Sequence, residues 1–108
     1  VNTNEEVFRL LLNAKELLDL HAMKNLSLEE ISSAAGISKY HFIRLFKNVF
    51  GISPYQYQIR RRLENAKLEI LKGVSILDAA FAYGYADLAS FSKAFKQAFG
   101  QSPSQFIK

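Results

Sequence analysis

Apolar residues recur along the chain at the three- and four-residue spacing of α-helices, and the alternation typical of strands is not sustained anywhere. The first run predicts an amphipathic helix over residues 4–21. Its apolar stripe consists of Val7, Leu10, Leu11, Ala14, Leu17, Leu18 and His21. We assign His21 a packing or capping role at the end of the stripe, and Thr3 with Glu6 would form a capping box at its start.

The next segment predicts a helix-turn-helix unit. Ser27 with Glu30 forms a capping box before a short helix, and Gly36 is placed to end that helix in a left-handed conformation. The apolar residues of this short helix are Leu28, Ile31, Ala34 and Ala35. Ser38 then caps a second helix that Gly51 ends. The inward stripe of the second helix is Phe42, Leu45, Phe46 and Val49. Two helices joined by a short turn with Gly are typical of this motif.

A long basic helix follows. Ser53 and Pro54 open it, and it extends to about Lys72, which is roughly 28 Å at 1.5 Å per residue. Its predicted apolar stripe is Ile59, Leu63, Ala66 and Ile70, supported by Tyr55 and Leu71. Its cations lie largely off that stripe and are Arg60, Arg61, Arg62 and Lys67. Gly73 is placed to end the helix.

The helix-turn-helix pattern then returns. Ser75 with Asp78 caps a short helix, Gly84 turns it, and Asp87 caps the next helix, which ends at Gly100. The inward stripe of that helix is Phe91, Ala94, Phe95, Ala98 and Phe99. Ser102 and Pro103 open a last short helix.

The two units are copies of one sequence pattern. FKNVFGISPYQY at residues 46–57 and FKQAFGQSPSQF at residues 95–106 share seven of twelve letters at an offset of 49. Upstream, Ser27, Leu28 and Gly36 correspond to Ser75, Ile76 and Gly84 at an offset of 48, so the second turn is one residue longer. The sequence therefore predicts an all-α domain over residues 1–108 with seven helices. A first helix-turn-helix unit spans about 5–52, a central helix about 54–72, and a second unit about 75–107.

This repeat resembles the DNA-binding domain of the AraC/XylS-type family of bacterial transcription regulators. The matching residues are SLEEISSAAGISKYHFIRLFKNVFGISPYQY in the first unit, Arg62, Leu63 and Ala66 in the central helix, and SILDAAFAYGYADLASFSKAFKQAFGQSPSQF in the second unit. The resemblance covers residues 24–107 and implies seven helices, with the central helix holding two helix-turn-helix units. It also implies sequence-specific binding of double-stranded DNA in the bacterial cytoplasm, on the nucleoid when bound. Contact with RNA polymerase is expected if the protein is an activator, and the first residue, Val1, suggests that a sensing or dimerisation domain once preceded the chain.

Charge is concentrated where the resemblance expects DNA. The net charge is +4, yet residues 1–30 carry three cations against six acids, and residues 38–72 carry eight cations against two acids. A basic middle suggests an anionic partner. Two recognition helices about 34 Å apart would reach successive major-groove segments, and the central helix is long enough to separate them by nearly that distance.

The outward faces of the two recognition helices supply the candidate contacts. Residues predicted to meet base edges are Tyr40, Ile43 and Arg44 in the first unit and Leu88, Ala89 and Lys93 in the second. A phosphate is the alternative partner of Tyr40 and Lys93, and the second unit is predicted to contribute mostly affinity for the DNA backbone, with some preference for thymine. Residues predicted to bind phosphates are Lys39, Lys47, Arg60, Arg61, Ser92 and Lys96. Arg60 and Arg61 have solvation as an equal alternative. Arg62 is expected to tie the central helix to another helix end, and His41 to be solvated or near phosphate.

Other function classes fit the sequence less well. There is no cysteine, no Gly-rich phosphate loop and no suggestive pair of acids, so we expect neither an enzyme nor a cofactor. His21 and His41 lack the clustered acids of a metal site. No apolar run approaches a membrane span. RNA is disfavoured because A-form RNA hides its major groove from helices. The remaining alternative is a helical protein-interaction module, which would not require basic residues on the recognition faces.

Overall fold

The protein is described by a computed structural model that covers residues 4–20 and 27–107. Within those residues the chain forms seven α-helices and no strand, which confirms the predicted all-α fold. The helices are α1 (Asn4–Leu20), α2 (Leu28–Ala35), α3 (Lys39–Phe50), α4 (Pro54–Leu71), α5 (Ile76–Ala82), α6 (Leu88–Phe99) and α7 (Pro103–Phe106). The predictions for Thr3 and His21 fall outside the described residues.

Local capping signals set where the helices begin and end. The N-cap side chains accept a hydrogen bond from the backbone N–H three residues on, which satisfies a donor that the helix leaves unpaired. These N-caps are Ser27, Ser38, Ser75, Asp87 and Ser102. Gly36, Gly51 and Gly100 end α2, α3 and α6 with positive φ, as their position after the last apolar residue predicts.

The chain divides into two compact units, Val1–Gln58 and Ile59–Lys108. The core of the first unit is formed by Leu11, Ala14, Leu18, Ile31, Phe42 and Phe46. The ring of Phe46 lies 4.6 Å from that of Phe50 and 5.8 Å from that of Tyr57. The Tyr57 hydroxyl donates a hydrogen bond to Asp19, so the start of α4 is joined to the end of α1.

The second unit has a core of the same kind, formed mainly by residues of α4, α5 and α6. Its buried residues are Leu63, Ala66, Ile70, Ala79, Ala80, Tyr83, Phe91 and Phe95. The ring of Phe95 lies 4.7 Å from that of Phe99 and 5.8 Å from that of Phe106. Fully buried aromatic rings therefore anchor the recognition helix of each unit to the helices beneath it.

Helix α1 is the counterpart of α4, a correspondence that the sequence comparison did not detect. Four core positions repeat at an offset of 52: Val7 and Ile59, Leu11 and Leu63, Ala14 and Ala66, Leu18 and Ile70. At the same offset, Lys15 lies 5.3 Å from the Phe50 ring centre, and Lys67 lies 4.7 Å from that of Phe99. Each unit thus contains three principal helices, and the repeat begins earlier than Ser27.

Arg62 fastens the end of α5 to α4, which confirms the role expected for it. Its Nε and Nη2 atoms both donate to the carbonyl oxygen of Tyr83, and its guanidinium lies 5.7 Å from the Tyr85 ring centre. Between these two tyrosines, Gly84 has φ +89°, and a Cβ added there would clash with Nη2 of Arg62. The turn therefore requires Gly84 for both its backbone and its space.

Several predicted core positions are wrong. Val49 is 42% exposed, because the buried row of α3 follows Phe42 and Phe46 to Phe50. Ala34 is likewise exposed, whereas Ser32 is buried in α2 together with Ile31.

The predicted stripe of α4 is also partly wrong. Tyr55 and Leu71 are 57% and 60% exposed, whereas Gln58 is only 2% exposed. The first turn of α4 belongs to the first unit, where Pro54 and Gln58 are buried, so the stripe that begins at Ile59 does not continue back to Tyr55.

Candidate nucleic-acid interface

Helix α3 presents a mixed aromatic and basic face. Because Phe42 and Phe46 are fully buried, the opposite side of the helix carries Tyr40, which is 74% exposed, together with exposed Arg44 and Lys47. The side chain of Ile43 is half-buried at the edge of this face. Guanidinium, ammonium and aromatic groups on one helix side can contact base edges and phosphates.

Lys39, the first residue of α3, is already paired within the protein. Its ammonium donates to the Glu29 carboxylate at 3.1 Å and lies 5.6 Å from the Tyr40 ring centre. The hydrogen bond to Glu29 raises the pKa of Lys39, and the same bond lowers the pKa of Glu29. A phosphate that bound Lys39 would have to compete with this carboxylate.

Helix α6 exposes a more apolar face. Leu88 is 45% exposed and precedes exposed Ala89, while Lys93 and Lys96 are exposed further along the helix and Ser92 is half-buried between them. Neither Leu88 nor Ala89 has a side-chain group that can form hydrogen bonds with a base, but both can contact a thymine methyl group.

The N-cap of α6 carries a negative charge. Asp87 accepts the backbone N–H of Ser90 at 2.7 Å, and this bond lowers the pKa of the Asp87 carboxyl group. A carboxylate at a helix N-terminus also interacts favourably with the helix dipole. The Asp87 carboxylate therefore stabilises the first turn of α6, and it directly precedes Leu88 in the chain.

Arg60 and Arg61 both form contacts with other groups of the protein. Arg60 donates to the Ala98 carbonyl oxygen at 3.0 Å and pairs with Glu64 at 3.6 Å. Arg61 pairs with the same carboxylate at 2.9 Å. The guanidinium of Arg60 also lies 5.0 Å from the Phe99 ring centre, so this arginine helps to hold the end of α6.

The acidic partners Glu29 and Glu64 were missed as site residues. Glu64 lies three and four residues after its arginines on one helix, so helical spacing alone could have identified it. Glu29 lies ten residues before Lys39 on a different helix, and no periodic signal joins them.

The described residues bear on two alternatives to a nucleic-acid interface, a metal site and a membrane span. In residues 4–20 and 27–107 no three His, Asp or Glu side chains come together as a metal site. None of the helices formed there has the length and apolar character of a membrane span. His41 is exposed near the start of α3. The site offers cations, aromatic rings and small apolar groups.

Residues 31–108 match the helix-turn-helix domain family. The probable transcriptional regulator LumQ of Photobacterium leiognathi is 37% identical over 82% of this chain and 36% of LumQ. The probable transcription factor PqrA of Proteus vulgaris is 36% identical over 81% of this chain and 72% of PqrA. The chain thus spans about a third of LumQ and nearly three quarters of PqrA.

Among solved structures, the chain is similar to the DNA-binding domain of the global transcriptional factor AdpA, which was determined in complex with a target DNA. The similarity has a TM-score of 0.76 at 22% identity and covers 89% of this chain and 87% of that one. At this identity the likeness establishes the fold alone.

Proposed function

The chain belongs to the AraC/XylS-type family of helix-turn-helix transcription regulators, and from that premise we propose that it binds double-stranded DNA sequence-specifically through two recognition helices in successive major-groove segments. The observation that carries the proposal is the duplicated unit, with α3 and α6 each anchored by buried phenylalanines and exposed on the other side. Residues 1–108 would act as one DNA-binding domain, with both readers in one chain, so the target site need not be palindromic.

The first unit is proposed to carry most of the base recognition. Arg44 would pair with the O6 and N7 atoms of a guanine, and Tyr40 would contact a thymine methyl group or a phosphate. The half-buried Ile43 would make a smaller apolar contact at the edge of the same face. Lys47, on the last turn, would bind phosphate.

The second unit is proposed to contribute mainly sequence-independent affinity for the phosphate backbone of DNA. Leu88 and Ala89 would favour thymine through methyl contacts, and Lys93 would reach a guanine or a phosphate. Ser92 and Lys96 would bind phosphates. The first two residues of α6, Leu88 and Ala89, carry no polar side-chain group, which supports this division between the units.

Three further cations complete the proposed phosphate contacts. Lys39 would exchange its pairing with Glu29 for a phosphate. Arg60 and Arg61 would bind a phosphate while they remain paired with Glu64. Each of these contacts competes with a protein carboxylate, so we rank them below Lys47 and Lys96 as sources of affinity.

The role of the whole protein is also a proposal, because the chain spans only a third of LumQ. We propose a sensing or dimerisation domain on the N-terminal side, and a contact with RNA polymerase if the protein activates transcription. The protein would act in the bacterial cytoplasm and lie on the nucleoid when bound. The AdpA complex supports the DNA partner, since a domain with the same fold binds a target DNA.

Selection of duplexes from a random pool, about 30 base pairs long, at two salt concentrations tests the proposal. Two enriched blocks centred about 10 base pairs apart would support base recognition by both units. One enriched block would assign base recognition to a single unit. Binding without enrichment that disappears as salt rises would reduce the interaction to non-specific electrostatics. No binding at low salt would refute the proposal and favour the helical protein-interaction module.

A further inference from the structure

The ion pair between Glu29 and Lys39 lies where the first recognition helix begins. The Glu29 carboxylate, in the first turn of α2, accepts a hydrogen bond from the Lys39 ammonium at 3.1 Å. The side chain of Glu29 is 66% exposed and that of Lys39 is 35% exposed, so both atoms face solvent. Exposed pairs of this kind contribute little to folding. The ion pair itself therefore adds little stability, and its larger consequence is the negative charge that it places beside a proposed phosphate-binding lysine.

The second unit provides an internal comparison at this place. By the offsets of the repeat, Leu77 occupies the position of Glu29, and Leu88 occupies that of Lys39. Both leucines are nearly half exposed, at 46% and 45%. The first unit thus carries two opposite charges at these two positions, where the second carries two leucines.

We propose that Glu29 tunes DNA affinity by neutralising Lys39, which weakens the sequence-independent phosphate contact at the start of α3. The inference rests on the proposed DNA-binding function and adds a residue to it. A DNA phosphate that approaches Lys39 would meet a carboxylate within a few ångströms, and like charges repel at that distance. Removing the carboxylate frees one cation for the phosphate backbone. Affinity should then rise on every duplex, because phosphates carry no sequence information.

Glu29→Gln tests this directly, since it removes the charge and keeps the shape of the side chain. We expect the variant to bind selected and random duplexes alike about fivefold more tightly at low salt. The plot of log affinity against log salt should steepen by about one unit, because one more phosphate is neutralised. Circular dichroism should show unchanged helix content.

A matched control and a double-mutant cycle separate this mechanism from a general gain of positive charge. Glu30→Gln removes a neighbouring exposed carboxylate that hydrogen-bonds with Ser27, and we expect its effect to be less than half that of Glu29→Gln. Lys39→Met leaves the Glu29 carboxylate unpaired beside the DNA and should weaken binding, whereas the double variant Glu29→Gln/Lys39→Met carries neither charge and should bind no more tightly than the wild-type chain. Equal effects of the two glutamate variants, or a double variant that binds as tightly as Glu29→Gln alone, would overturn the proposal.

The proposal and the underlying function fail in different ways. If wild-type protein binds a selected duplex with sequence preference but Glu29→Gln changes neither affinity nor salt dependence, only the role of Glu29 is refuted. If wild-type protein binds no duplex at low salt, the DNA-binding function is refuted, and the role of Glu29 falls with it.

Discussion

The turn between α5 and α6 provides the sharpest test of how the second unit is held together. Gly84→Ala should destabilise this unit far more than Gly100→Ala, although both glycines have left-handed backbones, with φ of 89° and 81°. The strain of placing a Cβ at such a φ is about 1–2 kcal/mol and is common to both variants. At Gly100 an added Cβ meets nothing within 4 Å, whereas at Gly84 it meets the Arg62 guanidinium.

The additional cost at Gly84 follows from what Arg62 would lose. The clash displaces a guanidinium that donates through two nitrogen atoms to the Tyr83 carbonyl oxygen and lies over the Tyr85 ring. Hydrogen bonds that involve a charged group contribute about 1.5–3 kcal/mol. Gly84→Ala should therefore lower the free energy of unfolding by about 2.5–5 kcal/mol, and Gly100→Ala by only the strain of about 1–2 kcal/mol.

Urea unfolding followed by circular dichroism, with amide hydrogen exchange of α5 and α6, measures the difference within the second unit. Arg62→Ala completes a double-mutant cycle: in that background Gly84→Ala should cost only the strain, so the coupling energy should be about 1.5–3 kcal/mol. Equal losses for the two glycine variants, or a coupling energy near zero, would refute the reasoning.

Three further predictions concern DNA binding and acid stability. Arg44→Ala should weaken binding to the selected duplex by about 1–3 kcal/mol and relax preference at one base pair, whereas Asn13→Ala, at an exposed position of α1, should change neither in the same binding assay. Lys93→Ala should weaken binding to all sequences equally and reduce the slope of log affinity against log salt concentration by about one. A loss of preference at one base pair only would contradict a contact of Lys93 with the DNA backbone. Because the folded-state pKa of Asp87 is lowered, its cap stabilises α6 above the unfolded-state carboxyl pKa of about 3.9 and loses that effect as pH falls through the folded value. Acid unfolding of Asp87→Asn should therefore lack this contribution to the pH dependence of stability.

Helix boundaries were largely predictable from the sequence because their causes are local. A serine or aspartate that accepts the N–H three residues on, and a glycine just past the last apolar position, act within one turn of helix. Ser38 and Gly51 thus bound α3 as predicted, and Asp87 and Gly100 bound α6. The buried rings of Phe42, Phe46, Phe91 and Phe95 were predictable for the same reason, since helical spacing places them on one face.

Positions at the margin of a stripe were less predictable. Spacing could not decide that Val49 lies outside the core while Phe50 packs into it, because both fall near one edge of the same face. Nor could it decide that Tyr55 is exposed, since α4 changes its buried neighbours between Gln58 and Ile59. Such positions depend on which element lies opposite them, and periodicity contains no information about that element.

The sequence by itself determined the seven helices, the duplicated motif and the exposed residues of the two recognition helices, because these follow from the order of residues within a few turns. Only the tertiary structure revealed that α1 repeats α4, that Arg62 fills the space above Gly84, and that Glu29 pairs with Lys39. The physical reason is separation along the chain. A contact between residues 10 or 21 positions apart, as in Glu29–Lys39 or Arg62–Tyr83, exists only when packing brings two helices together.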